Sequence, residues 1–303
     1  MWTRILIATD RGLWDALDEP VAAEPLAGHN VTALARDGAR VWAIVDGGSI
    51  WATDGGRRWE PVATVGEPPA TCLAMTADGL LVGTEQAHLR RLAGSRLEPV
   101  ESFEAVEGRE SWYTPWGDPA DVRSISVDAA GTIYVNVHVG GVVRSTDAGR
   151  TWTPMLDIEV DVHQVLAHPT RPGTVLAAAA AGLGMSGDGG HSWNFFTEGL
   201  HAHYLRAVAV SAETCLVTAS TGPSGRRAAV YRRPLDGKGP FERCRAGLPP
   251  WFSDNVDTAC LAASGAQAAF GTADGRVFRS FDAGATWNLV AKGLPEIHCI
   301  LPV

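Results

Sequence analysis

No apolar run in this chain approaches the roughly 20 residues that a membrane-spanning helix needs. The opening MWTRILIATD reads as a strand from its third residue and lacks the layered plan of a secretory signal. These two absences predict a cytoplasmic protein with no membrane partner. Basic charge is also short: 25 Lys and Arg stand against 34 Asp and Glu, a formal net charge of -9. That balance disfavours a nucleic-acid backbone or an anionic membrane surface as a ligand. Cysteine is scarce and odd in number, five residues without CxxC spacing. A disulfide framework is not the organising device. Cys72, Cys215, Cys260 and Cys299 sit in apolar strand-like runs and read as small buried hydrophobes. No HExxH fixes a metal on one element, and His201 and His203, separated by Ala202, are the nearest local pair of histidines.

What the chain does contain is a repeated octapeptide. ATDGGRRW occupies 52–59, STDAGRTW 145–152, SGDGGHSW 186–193 and SFDAGATW 280–287. Every copy has Asp third, Gly fifth and Trp eighth, and a short run of strand character lies just upstream. A short carboxylate accepts hydrogen bonds from the N–H groups of its own turn, and Gly supplies the positive φ a tight hairpin needs. The Trp opens the next strand and buries a large ring against the layer beneath. The pattern resembles the Asp-box, or BNR repeat, of sialidase-like β-propellers, and the resemblance covers essentially the whole chain. It implies a structural role for Asp54, Asp147, Asp188 and Asp282 and for Trp59, Trp152, Trp193 and Trp287. Fold and activity are then separate questions.

The box aspartates are 93, 41 and 94 residues apart. The long gaps are two steps of about 47, within the range of propeller blades. LAGSRLEP in 80–100 and PLDGKGPF at 234–241 replace the two decayed boxes. Six blades then begin near Val31, Thr71, Val122, Val162, Leu205 and Val256. EIHCILPV, at 296–303, reads as the first strand of a seventh blade, and 4–26 reads as its remaining three strands. The expected architecture is all-β: a seven-bladed β-propeller in one domain, 1–303, closed by pairing the C-terminal strand with the N-terminal strands of the last blade. Closure leaves no open sheet end.

Aligning the expected first strands puts Thr32, Thr71, Arg123, His163, Arg206, Asp257 and His298 at the second place of each. A polar residue at the entry of every inner strand would line a funnel mouth, a natural place for binding. His138, His163 and His203 fall on the same expected face, and imidazole clusters hold divalent transition metals. Two long connections, 103–121 and 246–255, carry Trp112, Tyr113, Trp116, Trp251 and Phe252, either as an aromatic wall for a ligand or as anchors for their loops.

Sialidases carry an F/Y-R-I-P motif, whereas here Arg4 and Ile5 are followed by Leu6, so the resemblance does not extend to that activity. Xyloglucan-cleaving glycosidases of similar repeat type use two tandem propellers, and only one is expected here. In size and blade count the chain looks most like single-domain propellers similar to the photosystem II assembly factor, which bind protein partners. Their lumenal address and basic patch have no counterpart in this sequence. Three readings follow. The first is a binding propeller holding a small-molecule, carbohydrate or peptide ligand with Arg123, His163, Arg206, Asp257 and His298. The second is a hydrolase or lyase at the same mouth, with Asp257, His163 or His298 as acid or base, or with a carboxylate pair drawn from Asp121, Asp161, Asp257 and Glu296. The third is a scaffold for a protein partner.

Overall fold

Short apolar runs punctuated by glycine become strands covered on both faces. In Ile5–Thr9 and Val175–Ala179 every residue is buried, as a continuous apolar run of that length requires. The computed structural model describes residues 2–16, 25–53, 58–114, 116–236 and 238–303. Among these, six sheets have four strands, and in each of them sequence neighbours are sheet neighbours. A seventh sheet joins the two ends of the chain in the order Gly12–Asp15, Ile5–Thr9, Ile297–Pro302. Helical segments are turns of three or four residues. The chain is all-β, a seven-bladed β-propeller. None of the described helices is long and apolar enough to cross a membrane.

The closing strand runs antiparallel to the opening one, with Leu6 opposite Leu301, Ile7 opposite Ile300 and Ala8 opposite Cys299. The expected wheel closure is therefore present. Of the three strands expected in 4–26, two are described, and 17–24 lies outside the described residues. One strand start needs correcting. The sixth blade's first strand is Leu261–Ser264, not a strand from Val256. Asp257 Oδ1 accepts from Thr258 N at 2.9 Å, the Asp257 carbonyl accepts from Cys260 N, and Ala259 has φ +64°. A short carboxylate capping its own turn has overridden the apolar pattern there.

Contacts divide the chain into two compact units, one of 1–31, 178–183 and 195–303, the other of 32–177 and 184–194. The first is centred on Ile5, Ile7, Phe252, Phe270, Phe278, Trp287 and Ile300. Phe270 and Phe278 stack with centroids 5.0 Å apart, and Trp287 meets Phe270 edge-on. The second holds two clusters, around Phe103, Val122 and Val135 and around Trp42, Ile44 and Ile50. Neighbouring blades approach closely where a glycine faces the next inner strand. A methyl group on Gly83 would collide with Val122 and Cys72, and one on Gly271 would lie 2.7 Å from Ile297 Cγ2. All five cysteines are free and buried.

The three described octapeptides share one clasp. Ser145 Oγ donates to Asp147 Oδ1 at 2.8 Å and accepts from Gly149 N. Asp147 Oδ1 accepts from Thr151 N, and Oδ2 accepts from the Thr151 hydroxyl. Asp188 repeats the set with Ser186 and Ser192, and Asp282 with Ser280 and Thr286. Hydrogen bonds from Thr151, chiefly from its side chain, hold the Asp147 carboxyl down at about 2. Trp287 and Trp59 are buried, whereas Trp152 and Trp193 are half-buried and donate to Ser102 Oγ and to the Met155 and Gly190 carbonyls. Asp54, with the rest of 54–57, lies outside the described residues.

Candidate functional site

In the second unit, two strand ends and one turn bring three potential ligands together. His138 ends the strand Ile133–His138, and His163 is second in Val162–Ala167. Between them in sequence, Asp157 caps a helical turn, Ile158–Val160, by accepting from Glu159 N. Asp161 closes that turn in the left-handed region, φ 52°. That turn, just before the strand, brings the Asp161 carboxylate into the same space as His163. Asp161 Oδ1 lies 2.9 Å from His138 Nε2 and 3.5 Å from His163 Nε2. One ligand atom from each residue falls within 4.8 Å of the others. His138 is 5% exposed and His163 fully buried. Burial opposes ionisation of Asp161, yet contact with the two imidazoles outweighs it and holds the carboxyl well below the ordinary range.

The 103–121 connection lies beside this group. Phe103 is buried against Trp112 and Trp152, and Arg109 sits over Trp112 at 4.9 Å. Arg109 also pairs with Glu104 at 2.8 Å, as does His88. Tyr113 and Val139 exchange two backbone hydrogen bonds, which pin the loop to the turn after His138. Trp112 is thus an anchor. Trp116 remains 65% exposed, its ring 5.7 Å from that of His138. Tyr113 points its hydroxyl at Glu159.

A cleft of about 480 Å³ opens under the same loop, lined by Gln86, Glu104, Arg109, Trp112 and Ala120 among others. None of the triad lines it, but one hydrogen bond links a lining residue to the strand paired with His138. Gln86 N donates to Asp121 Oδ1 at 3.0 Å, and Asp121 stands opposite His138 in the sheet. Burial raises the Asp121 carboxyl above its ordinary value, against the Gln86 N–H and the nearby His138 and Arg123.

The other expected site residues divide between the units. Arg123, half-buried, follows Asp121. In the first unit Arg206 approaches Asp257 at 3.6 Å, and its guanidinium lies 5.4 Å from the Tyr204 ring. His298 is half-buried on the closing strand, Glu296 is exposed, and Trp251 is half-buried. Of the three histidines expected around a metal, His138 and His163 meet. His203 is exposed in the first unit, and the third member is Asp161, singled out in the sequence only as an acid/base carboxylate. No spacing signalled that partnership, because a left-handed turn outside the strand places Asp161. The Glu104, Arg109 and Gln86 wall carried no signal either, because its members come from two separate loops.

Neither a protein-family profile nor a curated protein matches the chain. Solved structures do resemble it. An ancestral GH74 enzyme superposes with a TM-score of 0.64 at 15% identity, over 86% of this chain and 38% of that one. YCF48 from Cyanidioschyzon merolae gives 0.57 at 14% identity, over 93% of this chain and 94% of its own. A chain of a nidogen/laminin complex gives 0.56 at 9% identity, over 98% and 97%. This chain thus spans well under half of the GH74 enzyme's length. At these identities the likeness is one of fold.

Proposed function

We propose that this protein is a ligand-binding propeller whose second unit takes a small polar ligand, such as a sugar or a short peptide, in the cleft beside His138, Asp161 and His163. Those three side chains hold a divalent transition metal that helps to fix the ligand. The observation that carries the reading is the spacing of the three donor atoms. Ligand atoms sharing one ion with bonds of about 2.0–2.2 Å stand about 3–3.5 Å from one another. The contacts of 2.9 and 3.5 Å to Asp161 already have that spacing. Two imidazoles and one ionised carboxylate suit zinc, nickel, cobalt or iron, and three protein ligands leave coordination positions for a guest. Trp116 supplies an exposed flat face next to His138.

Metal-assisted hydrolysis at the same place is the second reading. Asp121, across the sheet from His138 and held by Gln86 N, favours it as a carboxylate able to handle a proton. The fold neighbours include an enzyme and a member of a protein complex, so architecture alone does not choose.

Metal content of the purified protein and titration with Zn²⁺ and Co²⁺ test the proposal. One ion per chain is expected, with affinity falling more than about 100-fold in Asp161→Asn and in His138→Ala. Trp116→Ala keeps the ion and quenches less on metal binding. A folded wild-type protein that binds no more tightly than Asp161→Asn would remove the metal and the role given to it.

A further inference from the structure

In a chain with an excess of acid, several arginines find a carboxylate. Arg4 pairs with Asp15, Arg109 with Glu104, Arg206 with Asp257, Arg232 with Glu242 and Arg276 with Asp274. Arg227, Arg243 and Arg245 are among those that do not: no carboxylate among the described residues lies within ion-pair range of any of them. All three belong to the first unit, whereas the residues proposed to hold a metal belong to the second.

Two of them share one indole. The guanidinium carbon of Arg243 lies 3.5 Å from the centre of the Trp251 ring, and that of Arg227 lies 4.5 Å away. His201 meets the same indole with centroids 4.7 Å apart and is oriented by the Tyr231 hydroxyl, 2.8 Å from its Nδ1. The backbone fixes this arrangement. Ala228 and Phe252 exchange two hydrogen bonds, which hold residue 227 beside residue 251. Arg227 itself sits in the left-handed region, φ 57°. Arg243 comes from the short outer strand Glu242–Arg243, and its buried Nε has no hydrogen-bond partner.

Like charges gathered on one ring repel, and cation–π contact offsets only part of that cost. A guanidinium stacked on an aromatic face keeps its in-plane N–H edge free for bidentate bonding to an oxyanion. We infer that Arg227, Arg243 and Trp251 form an oxyanion site that takes the phosphate or carboxylate group of a small ligand. Burial, followed by the charges of Arg227 and Arg243, pushes His201 below the usual imidazole range. His201 therefore stands as a neutral wall of the site at neutral pH and adds no further charge.

Inorganic phosphate and succinate, each titrated at constant ionic strength and followed by tryptophan fluorescence and calorimetry, test this. At least one of them is expected to saturate a single site, and which one does identifies the group. Arg243→Ala and Arg227→Ala should each weaken binding by about tenfold or more, with Arg243→Lys recovering only part because it cannot bond bidentately. Arg227 is exposed, so its variant reports on the site even where Arg243→Ala disturbs the outer strand. Asp161→Asn should leave anion binding unchanged, which separates this site from the metal proposal. Saturation by neither anion, or equal affinity in wild type and both alanine variants, overturns the inference.

Discussion

Ile7 and Ile300 face one another across the two strands that join the ends of the chain, and both are buried, at 0% and 4% exposure. Directly opposed side chains in an antiparallel pair have Cβ atoms about 4.5–5.5 Å apart, so each fills space that the other borders. Truncating either one to alanine removes most of a buried side chain and leaves a cavity, at a cost of about 2–5 kcal/mol. The second truncation widens a hole that already exists and costs less. A double-mutant cycle of Ile7→Ala and Ile300→Ala should therefore show a coupling of about 0.5–3 kcal/mol. Urea denaturation followed by tryptophan fluorescence reads all four proteins. Leu289→Ala, at a side chain 47% exposed on an outer strand, is the control and should stay within about 0.5 kcal/mol of wild type. Additivity within about 0.3–0.5 kcal/mol would mean that the two residues do not share a cavity, and the closure drawn here would be refuted.

Two further outcomes follow from burial and from the clasps. Burial pushes the Cys72 and Cys215 thiols up to about 12 and Cys244 to about 11. A thiol reagent at mildly alkaline pH should thus find essentially no reactive cysteine in the native protein and all five after denaturation; fast labelling of the native chain refutes this. The clasp aspartates have carboxyls held below their unfolded value, Asp147 by Thr151 first. For Asp147 the contribution to stability is complete above the unfolded value of 3.8 and fades as pH falls toward the folded value of about 2. The stability deficit of Asp147→Asn should accordingly narrow across that interval, whereas a deficit independent of pH would show that the charge of Asp147 is not what the clasp uses.

The fold was legible because its signals are local. An Asp, a Gly and a Trp at fixed places in eight residues dictate a hairpin by chemistry contained within those residues, and the clasps at Asp147, Asp188 and Asp282 repeat it bond for bond. The closing strand could be read for a similar reason: IHCILP has strand character, and the opening residues lacked an inner neighbour. Reading failed at Val256, where one carboxylate made a turn out of an apolar stretch. The site was legible only in part. Strand alignment placed His163 correctly on an inner strand, but its meeting with Asp161 depends on the left-handed turn that ends Ile158–Val160. No periodicity announces such a turn. The cleft is less legible still, since Gln86, Glu104 and Trp112 come together only through the folding of separate loops.

This division points to where selectivity must reside. A clasp that recurs unchanged from blade to blade offers every ligand the same backbone and so discriminates between none of them. Discrimination requires departures from the repeat, and both proposed sites are built on one. The 103–121 connection puts Trp116 beside His138 and walls the cleft with Trp112. The 246–255 connection brings Trp251 under two guanidiniums that no carboxylate among the described residues neutralises. Both loops are tied down by paired backbone hydrogen bonds, Tyr113 with Val139 and Ala228 with Phe252. Loops held in this way can present aromatic faces without first ordering themselves, and preorganisation of that kind lowers the entropic cost of binding. Exchanging the exposed parts of either loop, with the core residues Phe103 and Phe252 and the Ala246 carbonyl that accepts from Trp287 N kept, should therefore change what the protein binds and leave the wheel standing.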